Sequence, residues 1–142
     1  MQNVDVSLER RPVVAPAVSL ARGAPQELRF LVRSRDRLVL VRADSIDWIE
    51  AAGNYVRLRL GTERYLVRES ISALERRLDA ATFVRVHRST IVNLDRVKEL
   101  RIERRGSYVL VLRDGTQLRL ARRYRAIFEA RVLGGASVLP GA

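Results

Sequence analysis

Apolar and polar positions alternate with period two along most of the middle of the chain. Leu28, Phe30 and Val32 share one face, while Arg29, Leu31 and Arg33 share the other. The turn-forming stretch Ser34-Arg35-Asp36 separates them from Leu38-Val39-Leu40-Val41. Ile46-Asp47-Trp48-Ile49-Glu50 forms a third short run. After Gly53-Asn54, Val56, Leu58 and Leu60 face one way, and Tyr55, Arg57 and Arg59 the other. Gly61-Thr62 then leads into Arg64-Tyr65-Leu66-Val67. Alternating runs broken by turn residues every 8–12 positions or so are the mark of half-buried strands in a sheet-rich fold.

One segment breaks the alternation. Ile71, Leu74 and Leu78 fall at i, i+3 and i+7, which predicts a short amphipathic helix. Ser70 or Ser72 can cap it, and Ser72 with Glu75 fits a capping box. Asp79-Ala80-Ala81-Thr82 ends it. Strand patterns then resume at 83–86 and 91–92, with Phe83 and Trp48 expected in the core and Asn93 expected to cap the turn that follows. Further strands are expected at 97–103, 108–112 and 116–120, the last two joined by a two-residue Asp114-Gly115 hairpin. A closing helix is expected over 122–132, burying Tyr124, Ile127, Phe128 and Val132. The proline-punctuated residues 1–25 and the Gly-Gly-Ala-Ser-Val-Leu-Pro-Gly-Ala stretch 134–142 read as flexible tails, leaving one domain over 26–133.

Charge adds a partner to this picture. The chain of 142 residues has 27 Lys+Arg against 16 Asp+Glu, a net charge of +11, and every base except Lys98 is arginine. Residues 1–24 are nearly balanced, so the excess belongs to the domain. A basic domain rich in Arg suits bidentate contact with phosphates and guanine edges. Several arginines fall where strands end: Arg85 and Arg88 around Val86-His87, Arg104 and Arg105 in a turn, and Arg122 and Arg123 before the last helix. A basic sheet with Tyr55, Tyr65 and Tyr108 could instead stack single-stranded bases, so an RNA-binding or ribosome-associated module is the alternative.

Catalysis finds little support. Cysteine is absent, and His87 is the single histidine, which removes thiol chemistry and His-rich metal sites. Ser89, Thr90 and Asp95 lie near His87 without a nucleophile motif, and Glu50, Glu69, Glu75 and Asp114 form no acid–base pair pattern. No phosphate-binding loop of the G-x-x-x-x-G-K type occurs. No enzyme activity, metal or cofactor is therefore expected. No apolar run approaches the roughly 18 residues of a membrane span, and no signal-peptide core is present, which favours a cytoplasmic protein without a membrane partner.

Two blocks carry a family resemblance. Asp47-Trp48-Ile49-Glu50-Ala51-Ala52-Gly53-Asn54-Tyr55-Val56 resembles the I-x-x-I-E-A-x-G-N-Y-V signature of LytTR-type DNA-binding domains. Phe83-Val84-Arg85-Val86-His87-Arg88-Ser89-Thr90-Ile91-Val92-Asn93 is similar to that family's F-x-R-V-H-R-S-x-I-V-N block. The helix between the blocks, Asp114-Gly115, and Leu120-Ala121-Arg122-Arg123-Tyr124 resemble further elements, so the likeness covers about residues 28–130. Ala121 departs from it, because the family usually has Ser there.

The resemblance implies a mostly β, elongated antiparallel architecture with one short internal helix and a C-terminal helix. It implies a bacterial transcription regulator that binds double-stranded DNA through loops, as two protomers on short direct repeats. By that likeness Asn54, Tyr55, Arg88 and Arg123 contact bases, and Arg57, Arg85, Ser89, Arg122 and Tyr124 contact phosphates. Relatives often carry a receiver domain or membrane helices. Residues 1–24 are too short and polar for either, so control is expected from an upstream signalling partner or from the rest of a longer protein.

Overall fold

The computed structural model of the chain describes residues 18–19 and 28–133. Three antiparallel sheets and two α-helices make up this part. The first sheet contains β1 (Val18–Ser19), β2 (Leu28–Ser34) and β3 (Arg37–Arg42), in that order. The second contains β4 (Trp48–Ala52), β5 (Tyr55–Leu60), β6 (Glu63–Val67), β7 (Phe83–His87) and β8 (Thr90–Asn93), in the order β6-β5-β4-β8-β7. The third contains β9 (Val97–Ile102), β10 (Tyr108–Leu112) and β11 (Gln117–Leu120), in the order β11-β10-β9. Helix α1 (Ile71–Arg77) joins β6 to β7, and α2 (Arg125–Leu133) follows β11 after a 3-10 turn at Arg122–Tyr124.

Period-two patterning places two hydrophobic cores on opposite faces of the five-stranded sheet. Ile49, Val56, Leu58, Val67, Phe83 and Ile91 point to one core, which β2, β3 and α1 complete with Phe30, Val41 and Leu74. Val84, Val86 and Val92 point to the other, filled by Tyr108, Leu110 and Leu112 of β10, Leu118 and Leu120 of β11, and Phe128 of α2. Neighbouring residues of β7 thus serve different cores, and β7 is fixed from both sides. Trp48 is half-buried against the second core, with the Arg59 guanidinium 5.1 Å from its ring centre.

Several boundaries differ from those expected. Val18–Ser19, within the stretch read as a tail, pairs with β2 through Val18↔Arg29 and Ser19↔Leu28. The rest of the two expected tails lies outside the described residues. Ser70 is the N-cap of α1, its hydroxyl accepting the Ala73 N–H at 3.0 Å. The Ser72–Glu75 capping box does not form, because the helix already begins at Ile71 and Glu75 pairs with Arg85. Ile46 is fully buried but precedes β4, following a 3-10 turn at Ala43–Ser45. The β10–β11 connection is a three-residue loop, because Leu112 pairs with Thr116 and Gly115, at φ +94°, donates to the Leu112 carbonyl. This is a type I turn closed by a glycine bulge, not the two-residue form. On α2 only Phe128 of the expected apolar face is fully buried, and Tyr124 is half-buried. Ile127 and Val132 are 46% and 48% exposed, because the helix meets the sheet along one line of contact through Tyr124 and Phe128.

Candidate nucleic-acid interface

Three segments distant in sequence meet at one end of the fold. The Ala51 N–H donates to the Ser89 carbonyl at 2.9 Å, which ties the end of β4 to the β7–β8 turn. The Ala121 N–H donates to the Val86 carbonyl at 2.8 Å, which ties the residues after β11 to β7. The β4–β5 turn, the β7–β8 turn and the entry to α2 therefore share one backbone frame.

Each segment presents side chains for a local reason. Ala52 pairs with Tyr55, so Gly53-Asn54 is a two-residue turn. Gly53 takes the positive φ, +67°, and Asn54 does not need it. That pattern matches a type II′ turn and leaves Asn54 exposed at its tip beside half-buried Tyr55. In the next turn His87 Nδ1 accepts the Ser89 N–H at 3.2 Å and lies 3.0 Å from Ser89 Oγ. The single histidine thus closes the turn locally. Arg88 is exposed on it, as are Arg122 and Arg123 at the entry to α2, where Arg123 lies 5.6 Å from the half-buried Tyr124 ring. Ala121 offers no side-chain cap there. Among the described residues, the side chains of Asn54, Arg88, Arg122 and Arg123 form no hydrogen bond or ion pair with protein groups.

Two of the expected phosphate contacts are otherwise engaged. Arg57 Nη1 lies 3.0 Å from Glu50 Oε2, and Arg59 shares the other oxygen of Glu50 at 2.9 Å. The Arg85 side chain is only 12% exposed. It donates to Glu75 Oε1 at 2.7 Å, to the His87 carbonyl at 3.1 Å and to the Arg88 carbonyl. Arg85 therefore faces the protein and grips the turn from behind.

Arg119 and Arg125, which sequence reasoning did not single out, and Arg105, noted there only as a turn residue, complete the basic end. Arg88, Arg105, Arg119, Arg122 and Arg125 surround a cleft of about 570 Å³ over Tyr108. Strand alternation shows that Arg119 faces outward, but nothing local tells that it meets the 104–106 loop. The aromatic platform of the RNA reading is not formed. Tyr108 is 5% exposed beneath the Arg125 guanidinium, 3.7 Å from its ring centre. Tyr65 is half-buried and donates to Glu63, and burial, helped by that bond, raises its hydroxyl pKa above the ordinary value. Among the described residues no cluster of His, Asp or Glu could hold a metal, and no helix is long and apolar enough to cross a membrane.

The sequence profile of the LytTr DNA-binding domain matches residues 36–132. The chain belongs to this family. The LytTr domain is 28% identical over 89 residues to the sensory transduction protein LytT of Bacillus anthracis, covering 63% of this chain and 36% of that protein. It is 25% identical over 97 residues to the transcriptional regulatory protein LytR of Staphylococcus aureus, covering 68% of this chain and 39% of that protein. The chain thus spans little more than a third of these relatives. Its fold matches a LytTr DNA-binding domain from Bacillus cereus with a TM-score of 0.67 at 19% identity, covering 73% of this chain and 95% of that one. The matched region opens at residue 36, so β2, which supplies Leu28, Phe30 and Val32 to the core, precedes it. The LytTr domain here is a DNA-binding domain of the type found in transcription regulators.

Proposed function

We propose that this LytTr domain reads a specific duplex sequence through its three joined turns, with Asn54, Tyr55, Arg88 and Arg123 reaching base edges in the major groove. The observation that carries this reading is the shared backbone frame. Two hydrogen bonds, Ala51 to Ser89 and Ala121 to Val86, hold exposed Asn54, Arg88 and Arg123 on one end of a rigid sheet. Asn pairs with adenine N6/N7 and Arg with guanine O6/N7, and both need a fixed backbone to discriminate. Ser89, Arg122 and Tyr124 flank these positions and suit phosphate contacts, which set register without reading sequence. Arg85 acts behind the surface through Glu75 and the turn carbonyls, and Arg57 is paired with Glu50. Two copies would occupy direct repeats. An upstream signalling protein would control them, in keeping with the name of the sensory transduction protein LytT.

Selection from a random duplex library at physiological salt tests this. The expected result is a short enriched motif, repeated in direct orientation about one or two helical turns apart. Binding without an enriched motif would limit the domain to backbone attraction. Preference for single strands over duplex would return the RNA reading.

A further inference from the structure

Six arginines of this domain are held closely by carboxylates. Arg42, Arg57, Arg59, Arg77 and Arg85 on strands and α1, and Arg96 in the 3-10 turn after β8, each pair with a carboxylate within 3.0 Å. The cleft beside the β7–β8 turn gathers five arginines at one place. Arg88, Arg105, Arg119, Arg122 and Arg125 line it, and no carboxylate does. None of the five pairs with an acid among the described residues. Like charges gathered without counterions repel one another, so such a cluster favours an anionic ligand.

The cleft is also built to hold its shape. Arg125 lies flat over Tyr108 at 3.7 Å and donates to the Gly106 carbonyl, which fixes the guanidinium in the cleft wall. Its Nε is buried with no acceptor among the described residues. Arg105 is held at φ +67° in the same loop, next to Gly106 at +78°. A planar guanidinium held in a wall that other arginines share suits an oxyanion.

We infer that this cleft seats a phosphodiester of the DNA backbone through Arg105, Arg119 and Arg125, extending the contact beyond the reading turns. The inference rests on the duplex-binding reading for the source of the phosphate. The occupant carries a delocalised negative charge that several guanidinium groups can share, and the cleft adjoins Arg88 and Arg122. Contacts made there position the duplex and are blind to sequence.

The test uses the full chain and measures affinity for a selected duplex and a scrambled one between 50 and 200 mM salt. Wild type is compared with Arg105→Gln, Arg119→Gln and the double variant. Arg64→Gln, at an exposed position of β6 on the far edge of the five-stranded sheet, is the matched charge control. Each cleft substitution is expected to lower the slope of log K against log salt by about 0.9, so that the affinity lost across this range shrinks about 3.5-fold. The loss at low salt should be equal on both duplexes, and Arg64→Gln should leave the slope unchanged. An unchanged slope in the double variant overturns the inference while leaving the duplex reading intact. A loss confined to the selected duplex, or an equal drop with Arg64→Gln, overturns it as well. A free anion is distinguished by titrating inorganic phosphate into the ¹⁵N-labelled chain. Saturable shifts at Arg105 and Arg119 Nε, with an unchanged DNA slope, would make the cleft a site for a free phosphate. Wild type that binds no duplex would instead remove the reading on which the inference rests.

Discussion

Arg85 Nη1 lies 2.7 Å from Glu75 Oε1, and this ion pair joins α1 to the turn that carries Arg88. The same guanidinium donates to the carbonyls of His87 and Arg88. Arg85→Met leaves both carbonyls without their donor. The expected cost is roughly 1–3 kcal/mol in urea unfolding, together with lost discrimination between selected and scrambled duplexes. The salt slope of binding should stay the same, because Arg85 faces inward. Glu75→Gln should weaken discrimination in the same direction and by less. A slope lowered by about 0.9 in Arg85→Met would place Arg85 on a phosphate instead.

Asn93 is the one buried polar residue among the described residues, at 1% exposure. Its Nδ2 donates to the Ile46 carbonyl at 2.9 Å, and its Oδ1 accepts the Asp95 N–H at 2.9 Å. The amide thereby fixes the chain before β4 against the turn after β8. Asn93→Ala strands one donor and one acceptor, at roughly 1–3 kcal/mol each when water cannot reach them. Asn93→Asp should be at least as costly, because a carboxylate oxygen then faces the Ile46 carbonyl. Thermal unfolding checks both. A melting temperature unchanged in Asn93→Ala would show that neither bond matters.

Asp114 accepts the Thr116 N–H at 2.9 Å in the β10–β11 loop. That backbone bond, with a second from the Thr116 hydroxyl, holds its carboxyl below the ordinary carboxylate value. A lowered folded value means that the ionised form stabilises the fold. The contribution is complete above the unfolded value near 4 and is lost as pH falls through the folded value. Asp114→Asn keeps an acceptor for the N–H and cannot titrate. Wild type should therefore lose more stability than Asp114→Asn between about pH 5 and pH 2. Parallel pH profiles would contradict this.

Much of this molecule can be read locally. The alternation at Leu28, Phe30 and Val32 and at Val56 and Leu58 states which side is buried, because a strand side chain has only two directions. Ile71, Leu74 and Leu78 give the helix face in the same way, and all three are buried. The two long blocks around Asn54 and Arg88 carry the family. Less was legible where the outcome depends on a distant partner. Ser70 and Ser72 look alike as caps until Glu75 is seen to pair with Arg85. Ile127 and Val132 fit a helical stripe, but the area of sheet beneath α2 decides their exposure. Arg57 and Arg85 read as phosphate contacts, and their pairing is not legible because it depends on Glu50 across a strand and Glu75 on a helix. Arg119 and Arg125 join the basic end only through the packing of the third sheet and α2.

The central claim is that Arg88, on a turn held by its neighbours, reads a base. The most direct measurement is the affinity of wild type and Arg88→Ala for the selected duplex and for a scrambled duplex at one salt concentration. The expected result is a loss of roughly 1–3 kcal/mol on the selected duplex and a clearly smaller loss on the scrambled one, so that the specificity ratio falls. An equal loss on both would reduce Arg88 to a phosphate contact and contradict the account.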